Sequence, residues 1–124
     1  MITIHNISAK EFLDERAKNA DDMEVVDVRG AWEYDLAKLP GAVKYLPLPQ
    51  IVANRQGVAD AINWNKHVVF VCRTGGRSKQ AALLLANFAK GDAAYNLSGG
   101  LKAIFAERLD VLEGDQNKME HYFF

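Results

Sequence analysis

The stretch Cys72-Arg73-Thr74-Gly75-Gly76-Arg77-Ser78 has residue types and spacing that can do chemistry, and it holds the single cysteine of the chain. Adjacent glycines let the backbone curl so that successive N–H groups point at one centre. A helix is predicted from Ser78, whose hydroxyl can accept a bond from a first-turn N–H. A helix N-terminus favours negative charge in front of it. Arg73 and Arg77 add positive charge. Each of these features stabilises a thiolate over a thiol, so Cys72 is expected to titrate below the free value of about 8.5 and to act as a nucleophile. The alternative for a lone thiol at a strand end is an inert core cysteine; the surrounding loop argues against it.

The elements that must position this loop lie on either side. Val68-Val69-Phe70-Val71 is apolar without alternation, as in a strand buried on both faces of a parallel sheet. After the loop a helix is predicted as far as Lys90, ended by Gly91 and buried on most sides, since only Asn87 is polar between Ala81 and Ala89. Met1 to His5 reads as a first strand. Ser8 with Glu11 forms a capping-box signal for a helix to about Ala20, with Phe12, Leu13 and Ala17 inward. Val25 to Val28 is a second strand, followed by a short helix from Ala31 to Ala37 and a third strand from Ala42 to Tyr45. Pro47 and Pro49 are expected to block a helix at the start of the next segment. One or two short helices follow before Lys66, with a break near Gly57. Ala93 to Leu97 is a fifth strand, Ser98-Gly99-Gly100 a turn, and Leu101 to about Leu109 the last helix. Alternating strands and helices predict an α/β domain with a five-stranded, mainly parallel sheet and helices on both faces. Ligands of such sheets sit at the carboxyl ends of strands, where Cys72, Arg29 and the Ser98-Gly99-Gly100 turn all fall.

At 124 residues the chain is expected to be one domain, with its core over about 7–109 and a tail over 110–124. The tail ends in His121-Tyr122-Phe123-Phe124, and these aromatics are expected to pack on the domain's own surface. A net charge of −1 offers no electrostatic reason to expect nucleic acid or an anionic membrane. No apolar run reaches membrane-spanning length and no signal peptide is visible. With one cysteine there is neither an intrachain disulfide nor a resolving thiol, which fits a reducing cytoplasm. His5, His67 and His121 lack ligand spacing, so neither metal nor cofactor is expected.

Four motifs together resemble the rhodanese (thiosulfate sulfurtransferase) family. They are Asp27-Val28-Arg29 with Glu33, Leu39-Pro40-Gly41-Ala42, the Cys72–Ser78 loop, and Leu97-Ser98-Gly99-Gly100. Lys38 and Ile104 stand where many relatives carry histidine and tryptophan. The resemblance implies a rhodanese-like single domain. Its Cys72 would take a sulfane sulfur from thiosulfate or a persulfide, hold it as a persulfide, and pass it to cyanide, a thiol or a protein acceptor. Substrate would be held by Arg73, Thr74, Gly75, Gly76, Arg77 and Ser78, with Arg73 free to swing toward an anionic donor. Asp27, Arg29 and Glu33 would support the site. An acid in an apolar strand needs a cation, so Asp27 is expected to brace Arg77, leaving Arg29 to pair with Glu33. A carrier or regulatory module serving a partner protein is the alternative. A cysteine phosphatase or arsenate reductase is disfavoured: those loops are one residue longer than the four between Cys72 and Arg77.

Overall fold

A computed structural model describes residues 4–89 and 94–124. Its main sheet has five parallel strands: β1 (His5–Ile7), β2 (Met23–Asp27), β4 (Val43–Tyr45), β5 (His67–Val71) and β6 (Ala94–Leu97), in the order β1-β6-β5-β2-β4. The predicted parallel α/β architecture is therefore present, with the strand leading into Cys72 at the centre. Successive strand residues point to opposite faces, and both faces are covered. Val25, Val69, Val71 and Leu97 enter one core, with Phe12 of α1 (Ala9–Asn19) and Leu101, Ile104 and Phe105 of α6 (Gly100–Arg108). Val26, Val68, Phe70 and Cys72 enter the other. There they meet Ile51 of α3 (Leu48–Ala53), Val58 of α4 (Arg55–Asp60), and Ala81, Ala82 and Leu85 of α5 (Gly76–Leu85). This double burial is the physical reason that β5 shows no polar alternation.

Several local expectations need correction. Ser8 and Glu11 do form the capping box, but Ala17 is exposed. The prolines do not block α3: Pro47 is its N-cap and Pro49 lies in its first turn, where a missing N–H costs nothing. The break between α3 and α4 falls at Asn54, which caps α4 through the Gly57 N–H; Gly57 itself lies inside α4. α5 begins at Gly76 with Gly75 as N-cap, so Ser78 is an interior residue of the helix. It ends at Leu85 and a 3₁₀ turn follows, with Leu83 facing solvent. The expected stop at Lys90 and Gly91, the first part of the first strand and Ala93 lie outside the described residues.

Two further pieces complete the fold. β3 (Ala37–Lys38) pairs antiparallel with β7 (Glu113–Gly114). This pairing returns the chain end toward α2 (Ala31–Leu36), and a last helix, α7 (Gln116–Phe123), follows. Met119 and Phe123 of α7 are buried in the core shared with α6, so the aromatic tail does pack on its own domain. Among the described residues no helix is long and apolar enough to cross a membrane.

Candidate active site

Cys72 is the first residue beyond β5, and only 1% of it is exposed. Its Sγ accepts the Gly75 N–H at 3.1 Å and lies 3.3 Å from Ser78 Oγ. Gly75 makes the turn possible for two reasons. Its φ of +104° is a left-handed conformation, and a Cβ there would sit 3.3 Å from both the Gly99 nitrogen and the Leu97 carbonyl oxygen. Gly76 has no such constraint, because a Cβ on it would meet nothing within 4 Å. The start of α6 takes the first two carbonyls of the loop. Leu101 N–H donates to Cys72 O at 2.9 Å and Lys102 N–H to Arg73 O at 3.0 Å. This contact needs Gly100, with φ +63° and a Cβ position only 2.4 Å from Arg73 O. The glycine turn marked in the sequence is thus a backing plate for the cysteine loop.

Burial alone would push the Cys72 thiol up. Hydrogen bonds from the Ser78 hydroxyl and from the Ser78, Gly75 and Thr74 amides outweigh it, and the pKa is lowered. Ser78 has one hydroxyl proton, which it gives to Asn96 Oδ1 at 2.6 Å. While Cys72 is a thiol, its S–H can donate to Ser78 Oγ. When the sulfur ionises, that donor is gone and the hydroxyl proton can turn to the thiolate. Ser78 therefore serves the sulfur from inside α5, and the expected helix cap is replaced by Gly75.

The arginine pairing is the reverse of the expectation. Arg29, fully buried, pairs with Asp27 through Nε–Oδ1 (3.0 Å) and Nη2–Oδ2 (2.8 Å). It also donates to the backbone carbonyls of Glu33 and Ala37. Arg77 instead makes a two-pronged pair with Glu33, at 2.6 and 2.8 Å. Spacing misled here. Arg29 precedes Gly30, the N-cap of α2, so it is not on the helix with Glu33 and the i,i+4 relation does not apply. Asp27 is the last residue of β2, and a residue two positions on returns to its face. Glu33 also accepts the Gly30 N–H, closing the start of α2. Burial would raise the Glu33 pKa, but the bonds from Arg77, Tyr122 and Gly30 pull it down to about 2.

Tyr122 of α7 is the site residue that sequence reasoning missed. Its hydroxyl donates to Glu33 Oε2, its ring lies beneath the Arg73 guanidinium at 5.4 Å, and its carbonyl accepts Arg73 Nε at 2.8 Å. Burial and the bond to the Glu33 carboxylate push its phenol up to about 12. Arg73 is therefore held in place by α7, not free to swing. A usable signal existed: Asp115 is a good N-cap, and Met119, Tyr122 and Phe123 recur at helical spacing. Thr74 is exposed at the loop's tip. Trp32 is also exposed and packs edge-on against Tyr122, while Lys38 lies over the Tyr34 ring.

A cysteine sulfur ringed by hydrogen-bond donors at the carboxyl end of a central parallel strand, backed by a glycine turn, is one observation; a family match over the same elements is a second. The rhodanese-like domain model matches residues 8–107. The chain belongs to that family. Among relatives of this rhodanese-like domain, the adenylyltransferase and sulfurtransferase MOCS3 of Anopheles gambiae is 34% identical over 103 residues, which is 78% of this chain and 23% of that protein. The putative sulfur carrier protein YrkF of Bacillus subtilis is 30% identical over 80 residues, or 64% of this chain and 40% of that protein. The chain thus spans less than half the length of either. A crystal structure of a rhodanese-like domain protein from Staphylococcus aureus has a TM-score of 0.68 at 26% identity, covering 91% of this chain and 100% of the other. The family match stops before β7 and α7, so Tyr122 lies beyond it.

Proposed function

We propose that this rhodanese-like domain is a sulfurtransferase that carries sulfane sulfur as a persulfide on Cys72. The observation that carries this reading is the Cys72 sulfur itself, ringed by amide and hydroxyl donors that lower its pKa despite burial. In the first step the thiolate attacks the outer sulfur of thiosulfate. The S–S bond of the donor breaks, its electron pair leaves with sulfite, and Cys–S–S⁻ forms. In the second step an acceptor thiolate or cyanide attacks the terminal sulfur, becoming a persulfide or thiocyanate, and Cys–S⁻ is restored. Charge balances in both steps, and the two half-reactions predict ping-pong kinetics. The loop amides stabilise both anionic states without reorganising.

Because Cys72 is almost fully buried, a donor must offer a terminal sulfur that can reach into the cradle. That favours thiosulfate or a persulfide over a bulky electrophile. The four-residue spacing from Cys72 to Arg77 makes a cradle too short for a tetrahedral phosphoryl group. The same chemistry with a protein thiol as acceptor would make the domain a sulfur carrier, in line with the name of the Bacillus subtilis relative, a putative sulfur carrier protein. A reducing compartment such as the cytoplasm suits a lone thiolate. The test is intact-mass spectrometry after incubation with thiosulfate. One added sulfur atom is expected on the wild type and none on Cys72→Ser; an unmodified wild-type mass, or equal uptake by both, refutes the proposal.

A further inference from the structure

Strand β6 carries a polar side chain into the interior: Asn96 is only 4% exposed. It stands in register with Phe70 of β5 on one side and Asn6 of β1 on the other. Successive strand residues alternate faces, so Asn96 shares a face with Phe70 and Cys72, the face covered by α5. A buried amide is costly there unless its polar atoms are bonded. Both are: Nδ2 donates to Asn6 Oδ1 at 3.2 Å, and Oδ1 accepts the Ser78 hydroxyl at 2.6 Å. This chain of contacts ends at Cys72 Sγ, 3.3 Å from Ser78 Oγ.

The order of donors and acceptors fixes where the hydroxyl proton points. Asn6 turns the Asn96 amide so that its oxygen, not its NH₂ group, faces Ser78. Ser78 has one proton to give, and it is committed to Asn96. If that proton turns to the sulfur, the buried Asn96 oxygen is left without its donor. The charged groups around the sulfur are engaged with other residues. Arg77 of α5 is bound to Glu33 of α2, Arg73 to the Tyr122 carbonyl, and Asp27 of β2 to Arg29. His5 of β1 lies against Tyr95, on the opposite face of the sheet from Asn96. These charges are unchanged by substitution at Asn96.

Resting on the reading of Cys72 as the nucleophile, we infer that Asn96 is a positioning residue for it: held by Asn6, its oxygen competes with the Cys72 sulfur for the Ser78 hydroxyl proton and so tempers the thiolate. The hydroxyl still assists the thiolate, but only by giving up its bond to Asn96. The thiol therefore ionises less readily than it would beside an uncommitted serine. The thiolate that forms is also the stronger nucleophile, because nucleophilicity falls as the thiol becomes more acidic.

The experiment follows the single cysteine across pH in two ways. Ultraviolet thiolate absorbance, with that of Cys72→Ser subtracted, gives the midpoint of ionisation. Iodoacetamide alkylation, followed by intact-mass spectrometry, gives the limiting rate at high pH. Asn96→Leu keeps the branched side chain and removes the acceptor; it is expected to lower the midpoint and also the limiting rate. In a Ser78→Ala background the same substitution should leave both unmoved, since no hydroxyl is there to release. Asn6→Ala, at an exposed position that the fold should tolerate, frees the Asn96 amide to turn its NH₂ group toward Ser78. It should shift both readouts the same way, by less. In Asn96→Leu, a midpoint that stays or rises, a limiting rate that does not fall, or shifts that persist without the Ser78 hydroxyl overturn the inference. If Asn96→Leu does not fold, an unmoved midpoint in Asn6→Ala overturns it. Sulfur uptake from thiosulfate is scored separately: its failure refutes the sulfurtransferase reading, while absorbance and alkylation still decide the role of Asn96.

Discussion

Replacing Glu33 by glutamine should weaken the protein in a way that depends on pH, and the structure sets the size. Glu33 is almost fully buried, and its carboxylate takes two bonds from Arg77, one from Tyr122 and one from Gly30. Together these pull its pKa from 4.5 to about 2. At about 1.4 kcal/mol per unit the shift corresponds to roughly 3 kcal/mol. The Arg77 side chain is 39% exposed, so screening by solvent reduces this to about 2 kcal/mol. Glutamine fits the same space but turns an NH₂ group toward a donor. The sign follows from linkage: a depressed carboxylate pKa contributes stability that is fully present above the unfolded value and is lost as pH falls through the folded one. The wild type should therefore melt about 8 °C above Glu33→Gln near neutral pH. The gap should hold down to about pH 5 and close progressively toward about pH 2. Differential scanning calorimetry on both proteins across that range gives the difference curve, in which the other carboxylates cancel. A gap that is absent at neutral pH, or that stays constant into acid, would refute the assignment of Glu33 as the ionised partner of Arg77.

Three other outcomes are expected. Ser78→Ala should raise the inflection of iodoacetamide alkylation at Cys72, because a hydroxyl donor that lowers the thiol's pKa is lost; an unmoved inflection would mean that the hydroxyl stays with Asn96. Gly100→Ala should cost about 2 kcal/mol or more in urea denaturation, since the new Cβ meets the Arg73 carbonyl and φ is positive; a near-neutral result would show that the loop is not backed by α6. Phe123→Ala should cost about 3–5 kcal/mol as a core truncation. It should also raise KM for thiosulfate by loosening the α7 hold on Arg73; a loss of stability with KM unchanged would assign Arg73 no part in donor binding.

The sequence alone carried the sheet and the place of the Cys72 loop at its carboxyl edge, for a physical reason: both depend on local signals. An unbroken apolar run such as Val68–Val71 can be buried only on both faces, and a cysteine placed between that run and a glycine-bearing helix start must meet inward amides. The Gly99-Gly100 turn was also visible, although its task of backing the loop was not. Ion pairing was not legible, because partner choice depends on which side chains converge in space. Arg29 and Glu33 have helix spacing but do not share a helix, so Asp27 took Arg29 and left Glu33 to Arg77. The two-residue strands β3 and β7 are too short to give any periodic pattern, yet their pairing carries α7 back to the site. Residue type and local spacing placed hydrogen-bond donors around Cys72. Tertiary closure alone set Tyr122 against Glu33 and Arg73, because residues that lie 89 and 49 positions away in the chain meet only once the core of Phe105 and Phe123 has formed.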